Sequence, residues 1–172
     1  AEEFAEHWHP AANGGWLVGI PESSQLISPG GHGWGDHDRA AQEIRGHYQT
    51  MICDHPVDPR RTVVAGFSLG GSVAVWMALG GILPVRGCLG IACAPRELDK
   101  VRAAVSDASA RQLRLYLIVG EKDYLIHQAR DFCEVLESAG MAVRFDVRPG
   151  LGHTIPDDFD RTLITALEFL LG

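Results

Sequence analysis

No stretch of this chain approaches the ~20 consecutive apolar residues that a bilayer-spanning helix requires. Positive charge is not in surplus either: 15 Lys and Arg stand against 22 Asp and Glu, giving a formal net charge of -7 at pH 7. Nucleic acid and anionic membrane surfaces, which are held through clustered cations, are therefore poor partners. The four cysteines, Cys53, Cys88, Cys93 and Cys133, include no C-x-x-C pair. Cys88 lies in the apolar segment Cys88–Ala92 and Cys133 in a helical pattern, so both read as small buried hydrophobes. A disulfide framework does not suit this size and spacing, and a reducing, cytoplasmic setting is expected. Internal repeats and low-complexity segments are lacking as well.

What the chain does have is the length and composition of one globular domain. Its 172 residues are 46% hydrophobic and 22% charged, enough to close a sizeable core. Five short β-rich runs, Trp16–Ile20, Thr62–Phe67, Cys88–Ala92, Leu113–Val119 and Ala142–Val147, alternate with helical patterns. Between the first two, Asp36–Cys53 puts Ala40, Ala41, Ile44, Tyr48, Met51 and Ile52 on one face at helical spacing. Tyr124–Ala139 repeats that spacing with Ala129, Phe132, Cys133 and Leu136, and Gly140 ends it. A last helix opens on Pro156, Asp157 and Asp158, start signals for a first turn, and carries Phe159, Leu163, Leu167 and Leu170 toward a core. This alternation predicts an α/β fold, a mostly parallel sheet with helices on both faces. In such a sheet ligands bind outside the carboxyl ends of the strands, so the irregular stretch Pro21–Gly35, which follows a strand, is expected to line the site.

The most informative stretch is Gly66-Phe67-Ser68-Leu69-Gly70, followed by Gly71. It leaves the apolar run Thr62–Ala65 and opens onto Ser72–Leu79, which can form a helix. A strand, a sharp turn and a helix around G-x-S-x-G are the context of a nucleophile elbow, which lifts the serine hydroxyl clear of the sheet. Glycines two residues either side remove side chains that would collide where strand and helix nearly touch. A serine nucleophile needs a base, usually histidine, and a carboxylate to orient that base. On such a fold the order is Ser, then Asp or Glu, then His, each in a loop after a strand. Asp123 follows the run Leu113–Val119, with Glu121 as a neighbour that could substitute. His153 follows Ala142–Val147. His7, His9, His32, His37, His47 and His55 all precede the elbow, and His127 falls in a helix too close to Asp123. His32, Asp36, His37 and Asp38 include metal-ligand types but form no recognised ligand motif, and such a run often caps a helix. No metal and no cofactor are expected.

With Ser68, Asp123 and His153 in this order, the chain resembles an α/β-hydrolase along essentially its whole length. It is most similar to the phospholipase/carboxylesterase group, which includes acyl-protein thioesterases, and more loosely to dienelactone-hydrolase-like enzymes. The carrying segments are Asp58–Gly71, Gly120–Asp123 and Gly152-His153, with Trp34-Gly35-Asp36 resembling that group's Trp-x-Asp. The resemblance implies hydrolysis of a small carboxylic ester or thioester through an acyl-serine intermediate. Ser68 would attack, His153 would serve as base and then acid, and Asp123 would orient it. Leu69 would lend its backbone N–H to the oxyanion hole. Trp34, Leu69, Tyr124, Leu125, Ile126 and Leu151 are candidates to line an apolar substrate site. Dienelactone hydrolases proper use cysteine at the elbow, so Ser68 departs from their chemistry. A homo-oligomer is compatible with all of this.

The family's second oxyanion donor comes from a loop after a central strand, between those matched to Trp16–Ile20 and Thr62–Phe67, and nothing in residues 1–13 can supply it. A central strand left out would expose unpaired backbone groups. The expectation is a single α/β-hydrolase domain over residues 1–172 that lacks roughly 40 or more N-terminal residues of its parent, the usual size of a strand-helix unit, with an equivalent strand from another chain or a rearranged element as the alternative. Two alternatives stand beside the hydrolase: a non-catalytic binding protein or pseudoenzyme with part of its oxyanion hole missing, and a serine peptidase of the prolyl-oligopeptidase kind.

Overall fold

A computed structural model describes residues 2–95 and 97–172. In chain order the elements are α1 (Glu2–Glu6), α2 (His9–Asn13), β1 (Leu26–Ser28), β2 (Gly31–His32), α3 (His37–Asp54), a 3-10 turn at Pro59–Arg61, β3 (Val63–Phe67) and α4 (Ser68–Leu79). There follow β4 (Gly87–Ile91), α5 (Leu98–Ala110), β5 (Arg114–Gly120), α6 (Ile126–Ser138), β6 (Ala142–Arg148) and α7 (Phe159–Leu171).

Apolar runs without alternation make strands that are covered on both faces. β4 and β5 are of this kind, and they form the middle of a four-stranded parallel sheet ordered β3-β4-β5-β6. Successive residues point to opposite faces, so β5 divides its side chains between two cores. Leu115, Leu117 and Val119 pack with Val73 and Met77 of α4, Val101 of α5, and Phe132 and Leu136 of α6. Tyr116 and Ile118 join Leu89 and Ile91 of β4 with Phe159, Leu163 and Leu170 of α7 on the other face. Each fully buried Leu or Phe contributes about 1.5–3 kcal/mol relative to an exposed one. The predicted α/β architecture, a parallel sheet with helices on both faces, is the one observed.

Three features depart from expectation. Trp16–Ile20 is extended but is not a strand. Its alternation survives, with Trp16 and Val18 packed against the α7 side of the core and Leu17 and Ile20 exposed. A strand also needs a neighbour's hydrogen-bond ladder, and this segment has none among the described residues. Among the described residues β3 is consequently an edge strand, paired with β4. Within Pro21–Gly35, β1 and β2 form a small antiparallel hairpin that no hydrophobic run announces, because every residue of β1 is exposed. Finally, α5 was not singled out by its sequence, although Val101, Val105 and Ala108 are buried at helical spacing.

Buried Gln25 ties the hairpin region to the start of α3. Its amide donates to the Asp36 carbonyl at 3.1 Å and accepts the Asp36 N–H at 2.7 Å. The Asp36 carboxylate then caps the helix by accepting from the Arg39 N–H at 3.0 Å.

Candidate active site

The four parallel strands end in near register, with Phe67 opposite Ile91, Ile91 opposite Ile118 and Gly120 opposite Arg148. Their loops therefore converge on one rim of the sheet. Phe67 is the last extended residue of β3, and Ser68 begins α4 in the left-handed region with φ of 51°. A non-glycine residue there is strained and persists only where its surroundings hold it. Here the hold is the direct approach of strand to helix. A Cβ on Gly66 would lie 2.6 Å from the Gly71 nitrogen and nearer still to the Gly70 carbonyl. The helix start also leaves the N–H groups of its first turn without intrahelical partners, and Leu69 is among them.

β5 delivers the acid. After Gly120 the chain turns, and Asp123 is buried at 2% exposure. One carboxylate oxygen accepts the Leu125 N–H at 2.9 Å. The other lies 2.9 Å from Nδ1 of His153, in the loop after β6. Nε2 of His153 lies 2.9 Å from Oγ of Ser68. The structure thus joins all three sequence-predicted residues in one hydrogen-bonded series. Glu121 is engaged elsewhere, accepting the Gly150 N–H at 2.8 Å, and Asp123 is the carboxylate that meets His153.

Two rings flank this series that sequence order alone did not reveal as its neighbours. Phe67 lies with its ring centroid 5.3 Å from that of His153, and Tyr124 at 4.8 Å. Each is adjacent in sequence to a member of the series, a cheap signal for side chains that crowd the same rim. Of the proposed substrate-binding residues, Trp34 sits against the elbow: a Cβ on Gly70 would lie 3.6 Å from its ring. Leu125 and Leu151 meet the acid loop through their main chains. Leu125 donates to Asp123, and the Leu151 carbonyl accepts the Lys122 N–H at 2.8 Å. The surface depressions lined by Leu98, Arg102 and Val135, and by Leu79, Ala104 and Arg111, contain none of the site residues.

No thiol competes with Ser68. Cys93, whose sulfur lies in the contact shell of Gly71, is fully buried, and burial, aided by Cys133 and Asp123, pushes its pKa up to about 12. A protonated thiol is neither a nucleophile nor a metal ligand. Among the described residues, no group of three or more His, Cys, Asp or Glu could hold a metal ion. Of the sequence cluster near α3, Asp36 is the helix cap and His37 stacks on Trp76 at 5.0 Å.

A serine at a strand-to-helix turn, served by loops from the next strands in the order Ser, Asp, His, defines a serine-hydrolase-type α/β-hydrolase fold. The chain belongs to the phospholipase/carboxylesterase family, whose model matches residues 32–171. An uncharacterised protein from Bacillus cereus ATCC 10987 superposes with a TM-score of 0.86 at 25% identity, over 96% of this chain and 53% of that one. This chain therefore spans about half that protein's length. Arabidopsis thaliana SOBER1 superposes at 0.64 with 18% identity, over 79% of this chain and 65% of its own. Zea mays acyl-protein thioesterase 2 does so at 0.63 with 18% identity, over 88% and 71%. No curated protein matches the chain in sequence.

Proposed function

We propose that Ser68, Asp123 and His153 form a catalytic triad that hydrolyses a small carboxylic ester or thioester through an acyl-serine intermediate. The observation carrying this reading is the unbroken series from Asp123 through His153 to Ser68, each link 2.9 Å long. In it the Nδ1–H of His153 donates to Asp123, which leaves Nε2 free to accept the Ser68 proton as Oγ attacks the substrate carbonyl. The tetrahedral oxyanion then receives the Leu69 N–H at the positive end of α4. Collapse expels the alcohol or thiol, which takes the proton back from His153. Water, deprotonated by the same Nε2, attacks the acyl group, and release of the acid restores Ser68. No metal or cofactor takes part in these steps.

Trp34 and exposed Leu69 and Tyr124 present apolar surface near Ser68, which supports an apolar acyl or alcohol group. Four free cysteines, three of them buried, support a reducing, cytoplasmic setting. The family match favours an esterase or thioesterase over a peptidase.

The test compares the wild type with Ser68→Ala, using a fluorophosphonate probe and p-nitrophenyl esters of increasing chain length. Labelling of the wild type alone is expected, with turnover falling on the order of 10⁶-fold in the variant. Equal labelling of both proteins refutes the triad. An unlabelled wild type with the fold intact would support the non-catalytic alternative.

A further inference from the structure

His153 has to hold two hydrogen bonds at once, yet it lies on the ten-residue connection between β6 and α7, which contains no helix or strand. Something must fix that loop, because an imidazole displaced by 1 Å loses proton transfer. The sequence gives no hint of what does so: Arg148 and Asp158 are ten residues apart and belong to no motif. In the fold they meet. Arg148 is the last residue of β6, and Asp158 immediately precedes α7. Nη1 of Arg148 donates to both Asp158 carboxylate oxygens, at 3.2 and 3.0 Å. Nη2 donates to Thr162 Oγ1 in the first turn of α7 at 2.5 Å and pairs with Asp146 at 2.9 Å.

We infer that Arg148 is a positioning residue for His153, closing the mouth of its loop by clamping the end of β6 to the start of α7. This inference rests on the reading of His153 as the catalytic base. Three further observations support it. The guanidinium is mostly buried, at 23% exposure, and its Nε has no partner among the described residues, so its polar contacts there are with the acids and Thr162. The main chain of Arg148 reaches toward the acid loop as well, its carbonyl accepting the Glu121 N–H at 2.8 Å. The loop interior is then laced to that same acid loop through Gly150 to Glu121 and Leu151 to Lys122. With its mouth closed and its near side pinned, the loop has little freedom left to carry His153 away from Asp123. A planar guanidinium suits such a clamp because Nη1 on Asp158 and Nη2 on Thr162 and Asp146 together fix direction as well as distance.

The test uses the full chain with Arg148→Met, which keeps the aliphatic stem, Arg148→Lys, which keeps the charge, and Asp158→Asn, which weakens the clamp while keeping the residue's shape. Arg144→Met, on the same strand and with its guanidinium over the Tyr116 ring, is the control. For Arg148→Met, kcat should fall about 10- to 100-fold with KM unchanged. The downfield proton resonance of the His153 Nδ1–H hydrogen bond should broaden or move upfield. Arg148→Lys should recover part of both, and Asp158→Asn should show the same pattern more weakly. Should Arg148→Met fail to fold, Arg148→Lys and Asp158→Asn decide by the same two readouts. A folded Arg148→Met with kcat within twofold of wild type, or an equal loss in Arg144→Met, overturns the inference. Failure of the triad itself shows separately, as equal turnover by Ser68→Ala and the wild type.

Discussion

The two flanks of Ser68 are built to different standards. On the β4-to-β6 side the strands are paired across their length, and the acid and base loops are stitched together through Glu121, Lys122, Gly150 and Leu151. On the other side β3, an edge strand as β6 also is among the described residues, has beside it the Trp16–Ile20 segment, which lies extended without a ladder. There Leu17, Ile20, Leu26 and Ile27 are 40–67% exposed. The contrast separates two halves of the chemistry. The proposed proton relay uses the loops after β3, β5 and β6, two of which leave the paired strands β5 and β6. The proposed oxyanion stabilisation draws on the first turn of α4, where Leu69 lies.

The largest expected effect strikes the closed flank. Asp123→Asn keeps the shape of the side chain and an acceptor for the Leu125 N–H, but favours the wrong imidazole tautomer. Turnover should fall about 10⁴-fold while the fold is retained. Ester kinetics with a circular dichroism control measure this. A loss below about tenfold would mean that the well-ordered relay does not govern the rate, and the contrast would lose its functional meaning.

A next smaller effect sets the flanks against each other in stability. At the elbow, Gly66→Ala would press a methyl group into the backbone of Gly70 and Gly71, neither of which can move without shifting α4. Overpacking of this sort costs about 1–3 kcal/mol, and each kcal/mol lowers the melting temperature of a chain this size by about 2–4 °C. Gly46, in the middle of α3, has open space around it. Gly46→Ala should stabilise by about 0.5–1 kcal/mol through helix propensity alone. Calorimetry of the two variants should show shifts of opposite sign. Shifts of the same sign would mean that the elbow is no tighter than an exposed helix.

The same asymmetry explains which parts could be read in advance. β4 and β5 announce themselves as continuous apolar runs, β6 as a run that alternates apolar with charged residues, and α3, α6 and α7 as amphipathic helices with a fixed period, while α4 is read from its place after the elbow. The meeting of Ser68, Asp123 and His153 was legible because three loops on one rim of a parallel sheet must converge once their order is known. Trp16–Ile20 misled because alternation reports which side chains are covered, and says nothing of whether a ladder exists beside them. Tyr124 is among the candidates to line the site, but the contact of the Phe67 and Tyr124 rings with His153 and the Arg148–Asp158 clamp arise only when separate loops close on each other. β1 and β2 buried nothing in the core and so left no pattern to find.

The smallest expected effect leaves activity untouched and reads the flanks through their thiols. Cys53, at the end of α3, is exposed, whereas Cys88, Cys93 and Cys133 are buried in the core between the sheet and its helices. Burial is the leading cause that holds all three core thiols in the protonated form. It pushes Cys93 and Cys133 up to about 12 from an ordinary 9.0 and raises Cys88 well above that ordinary value. At pH 8 iodoacetamide should therefore add one adduct to the native chain, at Cys53, and four after denaturation, as intact mass spectrometry would show. The linkage to folding follows from the sign of the shift. A thiol that keeps its proton more tightly when folded contributes fully below the unfolded pKa near 9. That contribution is lost as pH rises toward 12, because the unfolded chain ionises first. The urea midpoint should stay level up to about pH 9 and fall beyond it. A second adduct on the native protein at pH 8, or a midpoint unchanged between pH 9 and 11, would show the core beneath the elbow to be as open as the surface around Cys53.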